Sequence, residues 1–363
     1  LDVTEWLHLG ENEITVLCRD EATRNEDPFG KQSDTRGGIW YTPQSGIWQT
    51  VWLESMPKEY IRDLLITTDA ESRTVTLRAD CFGKRITAHV LDRGQEILCA
   101  DFTSEAVLSY PFDLWSPEHP RLYDLILTSE SGDELHSYFG VRSFSMGKDE
   151  KGVMRLKLNG KPCFFNGLLD QGYWSDGMLT YPSDQAAEDE IRMLREMGFN
   201  TIRKHIKLEP MRWYYHCDRL GMVVWQDMVN GGSRPNMFFV CYLPTILPFV
   251  NGLVKDKHYK LFSRSSKTGR KQWEEECLEE IKQLYNCPCI GLWVPFNEGW
   301  GQFDSLRITE KIRRADPTRQ IDHASGWFDQ GGGDVKSVHN YFRPLRVKKD
   351  KRPFVLSEYG GYT

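Results

Sequence analysis

No apolar run in this 363-residue chain is long enough to cross a bilayer; the longest, residues 237–250, is interrupted by Pro244 and Pro248. No transmembrane helix and no membrane partner are therefore expected. Excess positive charge is missing too: the net charge is -6 at pH 7, which gives no electrostatic reason to expect a nucleic acid or an anionic membrane as partner. Metal-ligand spacing is absent, since the nine histidines show no His-x-x-x-His and Cys287-Pro-Cys289 is not a zinc spacing. Neither a metal nor another cofactor is expected. A disulfide framework is excluded by an odd count of nine cysteines in a chain too large to need staples. Buried free thiols fit better, and they favour a reducing, cytoplasmic compartment. The compartment itself stays unassigned, because the chain opens at Leu1 and runs straight into a strand-like segment, as though its natural start were missing.

What is present is a chain of 40% hydrophobic and 27% charged residues, ordinary for a globular protein and too long for one core. From residue 1 to about 146 short alternating segments are separated by Gly, Pro, Asp and Asn turns, a β-rich grammar. Strands are expected at residues 38–41 and 47–54 and, beyond Met56-Pro57, near residues 60–67, 74–82, 85–91, 106–110, 123–128 and 135–141, which together suggest a sandwich.

After Gly147 strand-like runs alternate with helical ones, the pattern of parallel β/α units. Strands are expected at residues 162–166, 200–204, 222–225, 290–295, 320–324, 335–341 and 354–358, with helices at 183–197, 210–220, 271–285 and 304–315. Ser183 reads as the N-cap of the first helix, Ile191, Leu194 and Met197 as its core face, and Gly198 as its stop. Seven such strands fit a (β/α)8 TIM barrel lacking its last strand, with the chain ending at Thr363, five residues past Glu358.

In such a barrel the reactive groups sit where strands end. Glu298 follows the run Ile290-Gly291-Leu292-Trp293-Val294-Pro295-Phe296-Asn297, and Glu358 follows Pro353-Phe354-Val355-Leu356-Ser357. Burial there raises the pKa of one carboxyl while nearby positive charge keeps the other ionised, so one residue type supplies both a general acid and a nucleophile. Glycoside hydrolysis needs that division of labour. A retaining enzyme holds its carboxyls roughly 5 Å apart, an inverting one ~6.5–9.5 Å. Two unrelated surface glutamates are the competing reading, plausible for either residue alone and weak for the pair.

At these residues the chain resembles glycoside hydrolase family 2, the family of β-galactosidases, β-glucuronidases and β-mannosidases. Asn297-Glu298-Gly299-Trp300 is similar to its acid/base motif and Ser357-Glu358-Tyr359-Gly360-Gly361 to its nucleophile motif. Gly46-Ile47-Trp48-Gln49-Thr50-Val51-Trp52 resembles the end of its sugar-binding jelly roll. Leu114-Trp115-Ser116-Pro117 and Phe139-Gly140-Val141-Arg142 resemble the close of its immunoglobulin-like domain. The resemblance implies a multidomain β plus α/β architecture: a partial jelly-roll β-sandwich over residues 1–56, an immunoglobulin-like β-sandwich over 57–146 and the truncated barrel over 147–363.

It also implies a retaining exo-β-glycosidase working by double displacement, with Glu298 as acid/base and Glu358 as nucleophile. Arg203, matching the family's second-strand arginine, would keep Glu358 ionised; Asn297 would donate to the sugar 2-hydroxyl; Tyr341 would orient Glu358. A structural ion pair and a packed ring are the competing readings of Arg203 and Tyr341. The segments after the first two barrel strands, Asn166-Gly167-Leu168-Leu169-Asp170 and Lys204-His205-Ile206-Lys207, depart from the galactosidase pattern, which puts that sugar in doubt. Candidate sugar contacts are Asp170, Gln171, Trp174, His205, Lys207, Asp227, Trp300, Trp327 and His339, each of which reads equally well as a loop or packing residue. The long loop over residues 228–269, with Phe238, Phe239, Tyr242 and Phe249, either walls the pocket or packs as a small subdomain. The expected partner is a β-glycoside, oligomer formation is left open, and the alternative function is a non-hydrolytic carbohydrate-binding fragment of such an enzyme.

Overall fold

Alternation of apolar and polar side chains through residues 63–139 gives seven strands: β1 (Asp63–Asp69), β2 (Thr74–Asp80), β3 (Ile86–Asp92), β4 (Gln95–Phe102), β5 (Glu105–Ser109), β6 (Tyr123–Ser129) and β7 (Glu134–Phe139). The computed structural model describes residues 1–20, 26–35, 37–341, 343–347 and 349–360, and for Pro248 and Phe249 the backbone alone. The strands form two antiparallel sheets, β1-β2-β5 and β4-β3-β6-β7. Val75, Leu77, Ile86, Ala88, Val90, Leu125 and Leu127, at alternate positions, fill one shared core. Strand β4 was not among the expected strands. It lies at a sheet edge with an almost wholly half-exposed or exposed face, so it lacks a buried apolar stripe. Its signal is the turn before it: Arg93 and Gly94 both adopt positive φ (51° and 82°), the geometry of a tight two-residue hairpin.

A three-stranded antiparallel sheet follows, made of β8 (Phe144–Lys148), β9 (Met154–Leu158) and β10 (Lys161–Pro162). The parallel strands come next: β11 (Gly167–Asp170), β12 (Thr201–Lys204), β13 (Val223–Asp227), β14 (Ile290–Val294), β15 (Gln320–Ile321), β16 (Lys336–Asn340) and β17 (Phe354–Tyr359). They pair in the order β11-β12-β13-β14-β15, with β16-β17 as a separate parallel ladder. Helices α1 (Asp184–Glu196), α2 (Met211–Leu220), α3 (Leu243–Ile246), α4 (Lys267–Leu284) and α5 (Ser305–Ala315) lie between the strands in sequence. The Ser183 hydroxyl caps α1 by accepting from Ala186 N. Its buried face is Ala187, Ile191 and Leu194; Met197, expected on that face, is 65% exposed because it sits past the last full turn.

Two expectations are corrected. The first parallel strand begins at Gly167 instead of residue 162: Phe164 is 84% exposed, and Asn166 is tied through its backbone and side chain to Asn200 and Gly198. Gly167 suits the strand start because a Cβ there would lie 3.1 Å from Thr201. Among the described residues of 1–56, the strands expected at 38–41 and 47–54 are not formed. The described part of that segment holds a 3-10 turn at Thr4–Trp6 and isolated bridges, and Leu17, Val51 and Trp52 are 94%, 73% and 71% exposed. Branched and aromatic residues form strands where a continuous ladder pairs the backbone and a second layer covers one face, and among the described residues of this segment the pairing stops at single bridges.

Trp115 joins the sandwich to the barrel. It is fully buried in the barrel core, its indole N–H donates to Asp218 O at 2.7 Å, and Gly140 approaches it so closely that a Cβ would meet the ring at 3.1 Å. Trp115→Ala is expected to cost about 3–5 kcal/mol, read from the urea midpoint, because the surrounding packing cannot collapse into so large a void.

Candidate active site

Strand ends gather the candidates. Arg203 lies within β12, Asp227 ends β13, Asn297 and Glu298 follow β14, His339 and Tyr341 flank the end of β16, and Glu358 is the penultimate residue of β17. Arg203 is 3% exposed and fully engaged. Its Nε and Nη2 donate to the two oxygens of Asp227 at 2.9 and 3.0 Å, Nη2 also donates to Asn297 Oδ1 at 2.8 Å, and Nη1 faces Glu358 Oε2 at 3.4 Å. His205 Nδ1 lies 2.7 Å from the same Asp227 carboxylate. Burial pushes Asp227 up, but Arg203 and His205 more than offset it and hold the carboxyl below its usual range.

The two glutamates meet at one hydroxyl. Tyr341 Oη lies 2.6 Å from Glu358 Oε1 and 2.9 Å from Glu298 Oε1. His339 Nδ1 lies 2.9 Å from Glu298 Oε1 and 3.7 Å from Glu358 Oε2, and these ligand atoms of Glu298, His339 and Glu358 fall within 4.8 Å of one another. Such a triad has the donor set and spacing of a small cation site, although Arg203 already presents positive charge to it. Burial pushes the Glu358 carboxyl up, yet His339, Arg203, His205 and the Tyr341 hydroxyl outweigh it and hold it down at about 2. Burial and then both glutamates push the Tyr341 phenol far above its ordinary range, so Tyr341 stays a proton donor.

The backbone here is strained. Glu298 adopts φ 51° and Ile206, a β-branched residue, φ 54°, both in the left-handed region. Gly299 must follow Glu298, because a Cβ there would run into the Phe328 ring. Phe328 belongs to an aromatic cluster with Phe239, Phe262 and Trp327, so the long loop packs against the Glu298–Gly299 turn through Phe239 while Phe238 and Tyr242 stay exposed. Phe249's ring, and Gly361 of the second motif, lie outside the described residues.

The remaining candidates make other contacts. Asp170 pairs with Lys204, which also donates to Glu209 Oε1 at 2.9 Å, and Lys207 donates to that same oxygen at 2.8 Å. Lys204, Lys207 and Glu209 are each no more than 3% exposed, so the charged groups of Asp170 and Lys207 are consumed in a buried ion cluster. Gln171 is half-buried, with an Oε1 that has no partner among the described residues. Trp174 is half-buried and pairs its backbone with Met178. Trp300 is wedged edge-on between Phe29 and Trp40, and Trp327 lies 6.2 Å from the His339 ring.

Sequence reasoning did not single out Ser325, Ser337 and Ser357, whose hydroxyls cluster beneath His339; Ser325 Oγ is 3.1 Å from His339 Nε2. It also missed Lys204, Glu209 and Lys31. Only Lys204, beside Arg203 in one strand, carried a positional signal.

Residues 151–363 match the family described as "Glycosyl hydrolases family 2, TIM barrel domain". Among curated proteins, 99% of the chain aligns with a β-galactosidase of Leuconostoc mesenteroides at 25% identity and with a putative β-glucuronidase of Formosa agariphila at 25% identity. The chain spans only 35% and 44% of those relatives' lengths. Among solved structures, a β-D-glucuronidase of Dictyoglomus thermophilum superposes with a TM-score of 0.66 at 18% identity, covering 84% of this chain and 55% of that one. A β-galacturonidase of Eisenbergiella tayi gives a TM-score of 0.61 at 15% identity over 84% of this chain and 57% of its own. The match covers more than half of the chain, together with both glutamate motifs, and on that ground the chain belongs to glycosyl hydrolase family 2.

Proposed function

We propose that the protein is a retaining exo-β-glycosidase that releases terminal β-linked sugars by double displacement, with Glu298 as general acid/base and Glu358 as nucleophile. The observation that carries this is the single Tyr341 hydroxyl between the two carboxyls. One phenol has one proton to give. Its Oη reaches both carboxyls, and His339 Nδ1 faces the same Glu298 oxygen, so the two glutamates share one hydrogen-bond network but stand in different surroundings, with Arg203 beside Glu358. A protonated Glu298 beside an ionised Glu358 is the starting state of a retaining glycosidase. Catalytic oxygens within 4.8 Å support retention and leave no room for the water an inverting enzyme holds between its carboxyls.

The surrounding groups take positioning roles. Arg203 donates to Asn297 Oδ1, which fixes the amide so that Nδ2 is the end available to the sugar 2-hydroxyl. Asp227 holds Arg203, and His205 braces the same Asp227 carboxylate. We also assign the seven strands β1–β7 to the family's immunoglobulin-like domain. The names of the relatives support a hexoside or hexuronide as the glycone.

Glu298→Ala tests the acid role. Removing a general acid is expected to lower kcat/KM by ~10²–10⁴-fold on 4-nitrophenyl glycosides and alkyl glycosides. On 2,4-dinitrophenyl glycosides, whose leaving group departs unprotonated, the first step should be nearly unaffected. Equal losses on both series would remove Glu298 from the acid role.

A further inference from the structure

Residues 26–35 and 37–48 lie against the strand-end face of the barrel. Phe29 N and Gly30 N donate to Asn230 O at 3.0 and 2.8 Å, Arg264 Nη1 donates to Glu26 O at 2.6 Å, and Leu179 N donates to Gln44 Oε1 at 2.9 Å. Tyr41 stacks on Tyr173 at 3.9 Å. Asp27 O approaches Gly231 so closely that any Cβ there would collide with it. Gly30, at φ +67°, brings the chain so close to the turn after β12 that a Cβ would meet Ile206 O at 2.9 Å.

The next residue is Lys31. It is 8% exposed, its ammonium is 5.7 Å from the centre of the Trp40 ring, and Trp40 rests on Trp300, two residues beyond Glu298. Burial is the largest influence and leaves the amine's pKa below its ordinary value, while the charges of Glu298, Glu358 and Asp227 oppose that shift. Yet among the described residues no hydrogen bond or ion pair reaches it. The other buried cations at this face are committed: Arg203 to Asp227, Lys204 to Asp170 and Glu209, Lys207 to Glu209. An ammonium on a largely buried side chain with no protein acceptor among the described residues is left to bond an oxygen that enters the site.

We propose that Lys31 is a specificity-determining residue that donates from outside the barrel to a hydroxyl oxygen of the sugar held between Glu298 and Glu358. Charge balance selects a hydroxyl over a carboxylate. Arg203 offsets Asp227 and Lys31 offsets Glu358, so no cation at this face is left over for a substrate carboxylate. A uronate would leave one buried negative charge beside the nucleophile. The assignment rests on the glycosidase reading above.

The test uses the intact protein as wild type, Lys31→Met and Lys31→Arg, with circular dichroism and thermal melting to establish that each variant folds. On the neutral 4-nitrophenyl β-glycoside that wild type hydrolyses fastest, Lys31→Met is expected to lower kcat/KM at least ~10-fold, mainly through KM. Its acid limb should move to higher pH, because a cation near Glu358 has been removed. Lys31→Arg should recover part of the loss. Unchanged KM and an unmoved limb in Lys31→Met would overturn the proposal. A wild type that prefers the 4-nitrophenyl β-glucuronide or β-galacturonide, with that preference lost in Lys31→Met, would overturn the hydroxyl assignment in favour of a carboxylate. If wild type hydrolyses nothing, the glycosidase reading has failed and Lys31 is judged by tryptophan fluorescence during titration with galactose, glucose, mannose and glucuronate. Weakened binding of a neutral sugar in Lys31→Met then supports the role, and equal binding refutes it.

Discussion

Glu358→Gly is expected to abolish hydrolysis of unactivated β-glycosides, by roughly 10⁴-fold or more, since a residue that acts as one unit with an acid and its orienting groups takes most of the catalysis with it. The loss is of a specific kind. Glu358 is 16% exposed on its side chain, held by Tyr341 and Arg203, and its removal opens a small space on the face of the sugar opposite Glu298. Azide fits such a space, needs no proton taken from it, and attacks where the carboxylate stood. With an activated 2,4-dinitrophenyl β-glycoside the variant should form the α-glycosyl azide, the product of one inversion, detectable by proton NMR. A β-glycosyl azide, or activity restored without any azide product, would sink the nucleophile assignment. Failure of Glu358→Gly to lose activity at all would sink the whole mechanism.

Much of this centre was legible in sequence because barrels place function by a rule. A polar residue ending an apolar strand points into the mouth, so Glu298 after residues 290–297 and Glu358 after residues 353–357 were readable one strand at a time. What could not be read is how side chains share one another. His339 looked like a possible sugar contact; the folded chain sets its Nδ1 against Glu298 and its Nε2 over Ser325, both too far away in sequence to suggest a pairing. Asp170 and Lys207 carry charges that sequence treats as available, yet Lys204 and Glu209 consume them. The N-terminal segment shows the opposite failure. Its β-branched and aromatic composition predicted strands, while its folded contribution is a loop held by backbone contacts to Asn230 and Gly231, for which no periodicity exists to be read.

Arg203→Met should produce the largest combined effect on stability and pH dependence, because Arg203 is the only described cation that touches Asp227, Asn297 and Glu358 together. Asp227 is 2% exposed on its side chain, so removing its bidentate partner leaves a buried carboxylate with His205 alone. Breaking one half of such a pair costs about 3–5 kcal/mol. Replacing Asp227 by Asn in the same chain should recover much of that stability. It should not restore turnover, since Glu358 still lacks the guanidinium.

The sign of the pH effect follows from linkage. Asp227 and Glu358 both have carboxyls held below their ordinary range in the folded state, Glu358 at about 2. Their contribution to stability is therefore complete above the unfolded carboxylate values near ~4 and is lost as pH falls through the depressed folded ones. Without Arg203 both folded values rise. Acid unfolding should then begin at higher pH in Arg203→Met than in wild type, and the acid limb of any residual kcat/KM should move the same way. A variant that loses stability but keeps its acid limb in place would show that Arg203 braces Asp227 without setting the charge of Glu358. If instead the double variant Arg203→Met, Asp227→Asn regained wild-type turnover, the guanidinium would have no part in the chemistry.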